Sequence, residues 1–338
     1  MEKNVDLFLE MLRIDSTSSR EKALSDFLKV RLPDGRCSVE SFDVGDGTEN
    51  LLFSWGVPEI VFCTHLDTVP PYLPPALEDG VMRGRGSCDA KGQIFAMYSA
   101  CLELADAGCE GFGLLLLSGE ETGSAGAKSF RKIHPGGRCV IVGEPTDNKM
   151  ISASKGTKSF AVTLRGRSSH SGYPEYGISA VDLFVDFVNM LRRTAFPTDP
   201  VLGETTWNIG RLSSDNPQNV LSDCLTFRIY FRTTFASDGF VSELMDGCRN
   251  GFTEVVAFGG DSPSKYLTLR GFETGVAAFG SDAPQLTNFS DRILCGPGSI
   301  LVAHTPSEHV LMDDVLKAVD NYVKMYRILS GADSCVNG

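Results

Sequence analysis

The stretch GFGLLLLSGEETGS, residues 111–124, ends an unbroken apolar run on two adjacent carboxylates, Glu120 and Glu121. A short apolar run without polar alternation, bounded by glycines, reads as a strand covered on both faces, as in a parallel sheet. The helical segment AGAKSFRKI follows at once, and the same unit recurs to either side. EIVFCTH (59–65) precedes the helical GQIFAMYSACLELADAG (92–108), and RCVIVGEP (138–145) is a further strand candidate. Strand and helix in alternation imply βαβ units and a mostly parallel sheet. Reactive groups of such sheets collect at the carboxyl ends of the strands. There the chain places His65 and Asp67, Glu120 and Glu121, and Glu144.

From about residue 156 the pattern changes to KSFAVTLRG (strand), SAVDLFVDFVNMLRR (helix), TTWNIGRLS and DCLTFRIYFRTT (strands), GFVSELMDGCRNGF (helix) and TEVVAFGG (strand). The order βαββαβ is the ferredoxin-like split motif. The 338 residues exceed what a single core usually organises. The expected architecture is therefore an α/β catalytic domain of residues 1–155 and 263–338, interrupted by an inserted domain of residues 156–262. Helices are expected at NVDLFLEMLRI, at SREKALSDFLKVRL and at the closing MDDVLKAVDNYVKMYRIL, with Asp313 as the N-cap of the last.

A net charge of −12 argues against nucleic acid or an anionic membrane as partner, because phosphates are held by clustered Lys and Arg. The ten cysteines stand singly, without a CxxC pair, which argues against a disulfide framework and a thiolate zinc site. The N-terminal MEKNVDLFLEMLRIDS lacks the basic start and continuous apolar core of a signal peptide, and no apolar run reaches the roughly 18 residues of a membrane span. A cytoplasmic protein with reduced thiols is expected.

His65, Asp67, Asp89, Glu120, Glu121, Glu144 and the later His304 gather imidazole and carboxylate at one sheet edge. Like charges brought together repel unless a cation neutralises them. This donor set without thiolate suits zinc, with cobalt or manganese as substitutes. Asp67 follows His65 by two positions, so both point to one side of an extended strand and the carboxylate can hold the imidazole in its ligating tautomer. Glu120 and Glu121 diverge if the backbone there stays extended.

THLDTVP (64–70), GRGSCDAKG (84–92), SGEETGS (118–124), VGEPT (142–146) and AHTPSEHV (303–310) together resemble, in order and spacing, the metallohydrolase family of acetylornithine deacetylase, succinyl-diaminopimelate desuccinylase, aminoacylase and carboxypeptidase G2. The resemblance spans nearly the whole chain. It implies two Zn2+ per chain, one held by His65 and Glu144, the other by Glu121 and His304, with Asp89 bridging them. It implies that Glu120 is the general base and acid, and that the peptide bond after Asp89 is cis. It also implies that His170 of GRSSHSGYP supplies an oxyanion donor, usually across a homodimer interface formed by the inserted lid. Ser307, before Glu308, departs from the family's acidic or amide residue. His309 competes with His304 for the ligand role, and the HTPSEH spacing favours His304; His134 reads as structural.

Asn219 and Arg232 match the lid residues that hold a substrate carboxylate, with Arg228 competing because Arg228, Tyr230 and Arg232 share one strand face. Tyr173, Gly280 and Ser281 are further pocket candidates. The glycine-rich GRGSCDAKG lacks GxxxxGK[ST], so Lys91 does not mark a phosphate loop. The expected reaction is hydrolysis of the amide of an N-acyl amino acid, most like acetylornithine deacetylase. The rivals are a dipeptidase or exopeptidase, a desuccinylase, suggested by HSGYP, and a catalytically silent binding protein of the same fold.

Overall fold

The computed structural model describes residues 2–331. In chain order the elements begin with α1 (Glu2–Leu12), α2 (Lys22–Arg31), β1 (Ser38–Gly45), β2 (Thr48–Trp55), β3 (Ile60–His65), β4 (Ala76–Glu78) and β5 (Val81–Arg83). They continue with α3 (Lys91–Asp106), β6 (Phe112–Leu117), α4 (Ala125–Ile133), β7 (Gly137–Val142), β8 (Met150–Ser154), β9 (Gly156–Arg165), α5 (Ala180–Arg193), β10 (Thr206–Ser213) and β11 (Cys224–Thr233). The last are α6 (Asp238–Gly247), β12 (Thr253–Gly259), β13 (Ser264–Lys265), β14 (Thr274–Ala277), β15 (Phe289–Leu294), β16 (His309–Leu311) and α7 (Met312–Ser330). Two compact units emerge: Met1–Ser152 with Tyr266–Gly275 and Ser281–Gly338, and Ala153–Lys265 with Val276–Gly280.

The first unit is built on a six-stranded sheet of order β1-β2-β6-β3-β7-β15. β6, β3, β7 and β15 run parallel, and every residue of β3 and β6 is buried, which explains their unbroken apolar sequence. Register places the strand ends together: His65 lies opposite Leu117, and Cys63 opposite Val142. The loops after β3, β6 and β7 therefore leave from one edge.

β1 and β2 add an antiparallel edge that the sequence reading passes over. Their turn takes positive φ at Gly45, Asp46 and Gly47 (106°, 52° and 78°), which glycine adopts at little cost. Side chains of β2 alternate between two environments. Leu51 and Phe53 join the core with Phe8, Phe62 and Tyr322, while Asn50 faces α4, which packs on β1 through Phe42 and Phe130.

One expected cap is different in the structure. α7 starts at Met312, after Leu311, and no side chain caps it; Asp313 lies inside the first turn. β16 runs directly into this helix, and the Met312 N–H is already taken by the Gly80 carbonyl at 2.9 Å. Asp313 and Asp314 instead place negative charge at the positive end of the helix dipole.

The second unit carries an antiparallel sheet of order β10-β11-β9-β12, the ferredoxin-like arrangement, with α5 and α6 in the βαββαβ positions. Phe160, Val162, Phe187, Phe227, Val241 and Met245 form its core. Alternation along β11 buries Leu225, Phe227, Ile229 and Phe231 and leaves Arg228, Tyr230 and Arg232 on the other face.

Candidate metal centre and active site

The turn after β6 is tied down from several sides. Asn50 is buried; its Oδ1 accepts from the Ser118 N–H (3.0 Å) and its Nδ2 donates to the Gly126 carbonyl (3.0 Å). A side chain at residue 126 would bring its Cβ within 2.4 Å of Asn50 Oδ1 and 2.5 Å of the Ser118 carbonyl, so only glycine lets α4 start this close to β6. Between these anchors Glu120 and Glu121 sit in a hydrogen-bonded turn, with Gly123 N–H donating to the Glu120 carbonyl at 3.0 Å. The backbone is therefore not extended at the two carboxylates, contrary to expectation. Their separation comes from the turn.

Asp67 holds this turn. Its Oδ1 accepts from Glu120 N–H (3.0 Å), and its Oδ2 from Glu121 N–H (3.2 Å) and the Ser18 hydroxyl (2.9 Å). The carboxylate also stands near His65, whose Nδ1 lies 3.7 Å from Asp67 Oδ1 and 2.8 Å from the Asp67 main-chain carbonyl. That carbonyl accepts from Nδ1–H, which leaves Nε2, facing Asp89 Oδ1, as the ring nitrogen that can ligate a metal. The carboxylate is committed to three other donors. Asp67→Asn turns an N–H2 toward one of them inside a fully buried site. The expected result is a kcat lower by about 10–100-fold with KM little changed and the metal content retained, checked by steady-state kinetics beside metal analysis.

Two groups of side chains offer ligand atoms within 4.8 Å of one another: His65, Asp89 and Glu144, and Asp89, Glu121 and His304. Asp89 belongs to both. Its Oδ1 lies 2.9 Å from His65 Nε2 and its Oδ2 3.2 Å from His304 Nε2, which is also 2.9 Å from Glu121 Oε1. His304 adopts a left-handed φ of 63°. His309 joins neither group, its Nδ1 contacting the Ser307 carbonyl at 2.8 Å. The Asp89–Ala90 peptide is cis.

The electrostatics describe a site built for cations. Burial, then the charges of Asp89 and Glu120, push the Glu144 carboxyl well above its usual range, and its Oε1 has no hydrogen-bond partner. Burial likewise raises Glu120, with Asp282, Glu121 and Asp89 adding to the effect against His65. Hydrogen bonds donated to the carboxylates of Asp89 and then Glu121 push His304 up to about 10. Burial opposes protonation of His65, but Asp67 and Asp89 outweigh it and raise that imidazole as well. An orphaned buried carboxylate oxygen and paired His and carboxylate donors fit two divalent ions. Cys88 does not belong to the set: its thiol faces the Ser299 carbonyl at 3.5 Å, and burial drives its ionisation upward.

Asp282 belongs to this region, and the sequence reading missed it. The FGSDA loop drew attention to Gly280 and Ser281, not to the carboxylate beside them. Asp282 is buried, with Ser124 beside it but neither oxygen in a close hydrogen bond, and burial lifts its carboxyl to about 6. Its charge is felt by Cys63, Glu120 and Glu144. A hint lay in its company, a carboxylate in a glycine- and serine-rich loop on the strand-end side of the chain. Ser281 is buried, its Oγ accepting from Ala283 N–H.

Except for His134, the remaining candidates belong to the second unit. His170 Nδ1 accepts from Gly172 N–H (3.0 Å), and its ring lies 6.0 Å from that of the exposed Tyr173. The Asn219 carbonyl accepts from Ser171 N–H (2.9 Å), so the His170 and Asn219 loops are joined. Arg232 stacks at 5.0 Å over Tyr230 and Arg228 at 3.7 Å over Phe258. His134 is a local structural group, as its sequence setting suggests: it stacks on Phe130 at 4.6 Å and accepts from Gly136 N–H.

Two candidate ligand sets thus share one aspartate at the carboxyl edge of a mostly parallel sheet, with the half-buried Glu120 outside both. The profile of peptidase family M20/M25/M40 matches residues 61–327, and the chain belongs to that family. A peptidase M20 domain-containing protein of Schizosaccharomyces pombe is 32% identical over 336 residues, 95% of this chain and 83% of the relative. A probable carboxypeptidase of Aspergillus clavatus is 31% identical over 355 residues, 93% of this chain and 85% of the relative. Among solved structures, a tripeptidase of Staphylococcus aureus superposes with a TM-score of 0.81 at 18% identity, covering 95% of this chain and 97% of its own. Aminopeptidase PepT of Bacillus cereus gives 0.79 at 21% identity, covering 95% and 96%.

Proposed function

We propose that this metallopeptidase hydrolyses an amide bond whose departing amine carries a free carboxylate, as in a peptide cut at its carboxyl end. The carrying observation is Asp89 shared between two ligand sets, with the half-buried Glu120 beside them. The relatives named as probable carboxypeptidases support the exopeptidase reading. An N-acyl amino acid presents the same bond and the same carboxylate, so deacylation of the acetylornithine type is the second reading, supported by the five motifs.

His65, Glu144 and Asp89 would hold one ion and Asp89, Glu121 and His304 the other, zinc being the metal that best suits these donors, with cobalt or manganese as substitutes. Bound there, two such ions supply Lewis acidity toward the substrate carbonyl and lower the pKa of water in the site toward about 7. Glu120 takes the proton of the attacking water and returns it to the departing nitrogen. Asp67 keeps the Glu120 backbone in place for both transfers.

In the second unit the family resemblance supports His170 as oxyanion donor and Asn219 and Arg232 as carriers of the substrate carboxylate, while Tyr173 and the loop of Gly280 and Ser281 are further pocket candidates. Pairing of this unit with that of a second copy, giving a homodimer, is supported by Val181 and Val185, exposed one turn apart on α5. The nine described cysteines are free thiols, which suits a reducing, cytoplasmic setting. No described helix is long and apolar enough to cross a membrane.

A panel of dipeptides, N-acetyl and N-succinyl amino acids, and C-terminally amidated peptides tests the reading on metal-loaded protein with a chelator control. Peptides with a free carboxyl end are expected to give the highest kcat/KM, and amidation to lower it by about 100-fold, the size of a lost charged hydrogen-bonding partner. Equal cleavage of amidated peptides overturns the proposal. A maximum on N-acetylated amino acids moves the assignment to the second reading.

A further inference from the structure

Glu308 is 219 positions from Asp89 in sequence, yet its carboxylate is the hub around which the loop carrying Asp89 is wound. One oxygen, Oε1, accepts three backbone N–H groups, from Gly86 at 2.9 Å, Cys88 at 3.1 Å and Asp89 at 3.1 Å. The other, Oε2, accepts from Arg85 Nη1. Both residues are 2% exposed. The Gly84 N–H donates in turn to the Glu308 carbonyl at 3.2 Å, and Arg85 Nε to the Pro71 carbonyl at 3.2 Å. The pairing His309↔Arg83 and Val310↔Met82 zips the segment after Glu308 to the strand before the loop.

Three converging N–H groups form an anion-binding concavity, and a carboxylate fills it with charge-assisted bonds that a neutral group makes less well. Such an ion buried without a partner is costly, and Arg85 supplies the partner. The contact made by the Asp89 N–H sets where the Cα of that residue sits, and hence where its carboxylate can reach. The same segment carries His304 four positions earlier, so one stretch of chain holds both a candidate ligand and the anchor of the shared one.

We propose that Glu308, with Arg85 as its counter-ion, is the positioning residue of the metal centre, fixing Asp89 so that its two oxygens serve both ligand sets. The proposal rests on the two-ion reading given under Proposed function. It goes beyond that reading by assigning a role to an acidic residue outside both ligand sets.

The test uses the full chain as wild type, Glu308→Gln, and the double variant Arg85→Met with Glu308→Gln, which leaves no lone buried charge if the single variant folds poorly. Metal-free thermal stability is measured first, then stoichiometry and affinity for Co2+ from its visible absorption. Both variants are expected to be folded when metal-free and to bind Co2+ about 10–100-fold more weakly, with an altered absorption band. Unchanged Co2+ affinity and spectrum, with only the melting temperature lowered, make Glu308 a packing residue and overturn the proposal. Failure of the wild type to take up two ions overturns the two-ion reading and this proposal with it. Two ions in the wild type, held as tightly by the variants, overturn this proposal alone.

Discussion

Glu120→Gln is expected to lower kcat by about 10²–10⁴-fold, the range that a positioned general acid–base contributes, while two ions per chain are retained. The substitution is nearly isosteric and keeps the backbone N–H that Asp67 holds at 3.0 Å, so the turn has no reason to move. What it removes is the ability to accept a proton. Glu120 belongs to neither ligand set, whereas its neighbour Glu121 lies 2.9 Å from His304 Nε2. Glu121→Gln is therefore expected to weaken metal binding first and turnover in consequence. Metal analysis beside kinetics on both variants separates the roles. A Glu120→Gln protein that retains turnover removes the base from the scheme, and one that loses an ion makes Glu120 a ligand.

How much of this was legible in the sequence depended on the range of the interaction. β3, β6 and β7 are continuous apolar runs because both faces are covered, so composition alone exposes them. β11 alternates residue by residue, so its two faces could be read directly. The β1–β2 hairpin was not read, although its GDG turn is a recognised signal, because β1 is largely exposed and its residues carry little apolar pattern. β4, β5 and β16, three residues each, are too short for any periodicity to show.

His65, Glu120, Glu121 and Glu144 could be picked out because residue type after an apolar strand is a local property, whereas Asp89, His304 and the division into two ligand sets rested on the family resemblance. What each carboxylate touches is not a local property. Asp67 bonds to residues 53 and 54 positions away, and Glu308 to residues 219 to 223 away. Those partners are chosen by the packing of the sheet edge, which no spacing within a motif records. That is why the turn after β6 did not show among the partners of Asp67, and why Asp282 was passed over.

Removing the metal is expected to lower the melting temperature and release no further charge strain, because protons take over part of the cation's work. Asp67, Asp89, Glu120, Glu144 and Asp282 are all in a buried region, where uncompensated like charges are costly. In the metal-free protein His304, raised to about 10, holds a proton at pH 7, and Asp67 and Asp89 favour a proton on His65 as well. The sign follows from the direction of these shifts. An imidazole raised on folding stabilises the metal-free protein fully below about pH 6.5, its unfolded value, and the His304 part of that stabilisation is lost as pH rises through about 10. Metal ions must displace these protons to reach the ligand atoms. Binding at pH 7 is therefore expected to release at least one proton per chain, that of His304, seen as a dependence of the calorimetric heat on buffer ionisation enthalpy. Affinity should rise with pH across the same range. Each ion at about 1,000 times its dissociation constant adds about 4 kcal/mol to the folded state, so the difference in melting temperature between loaded and chelated protein should be wide at pH 8 and shrink toward pH 6. A melting temperature indifferent to chelation at both pH values, with no proton released, would mean that the acidic edge of this sheet is neutralised without metal.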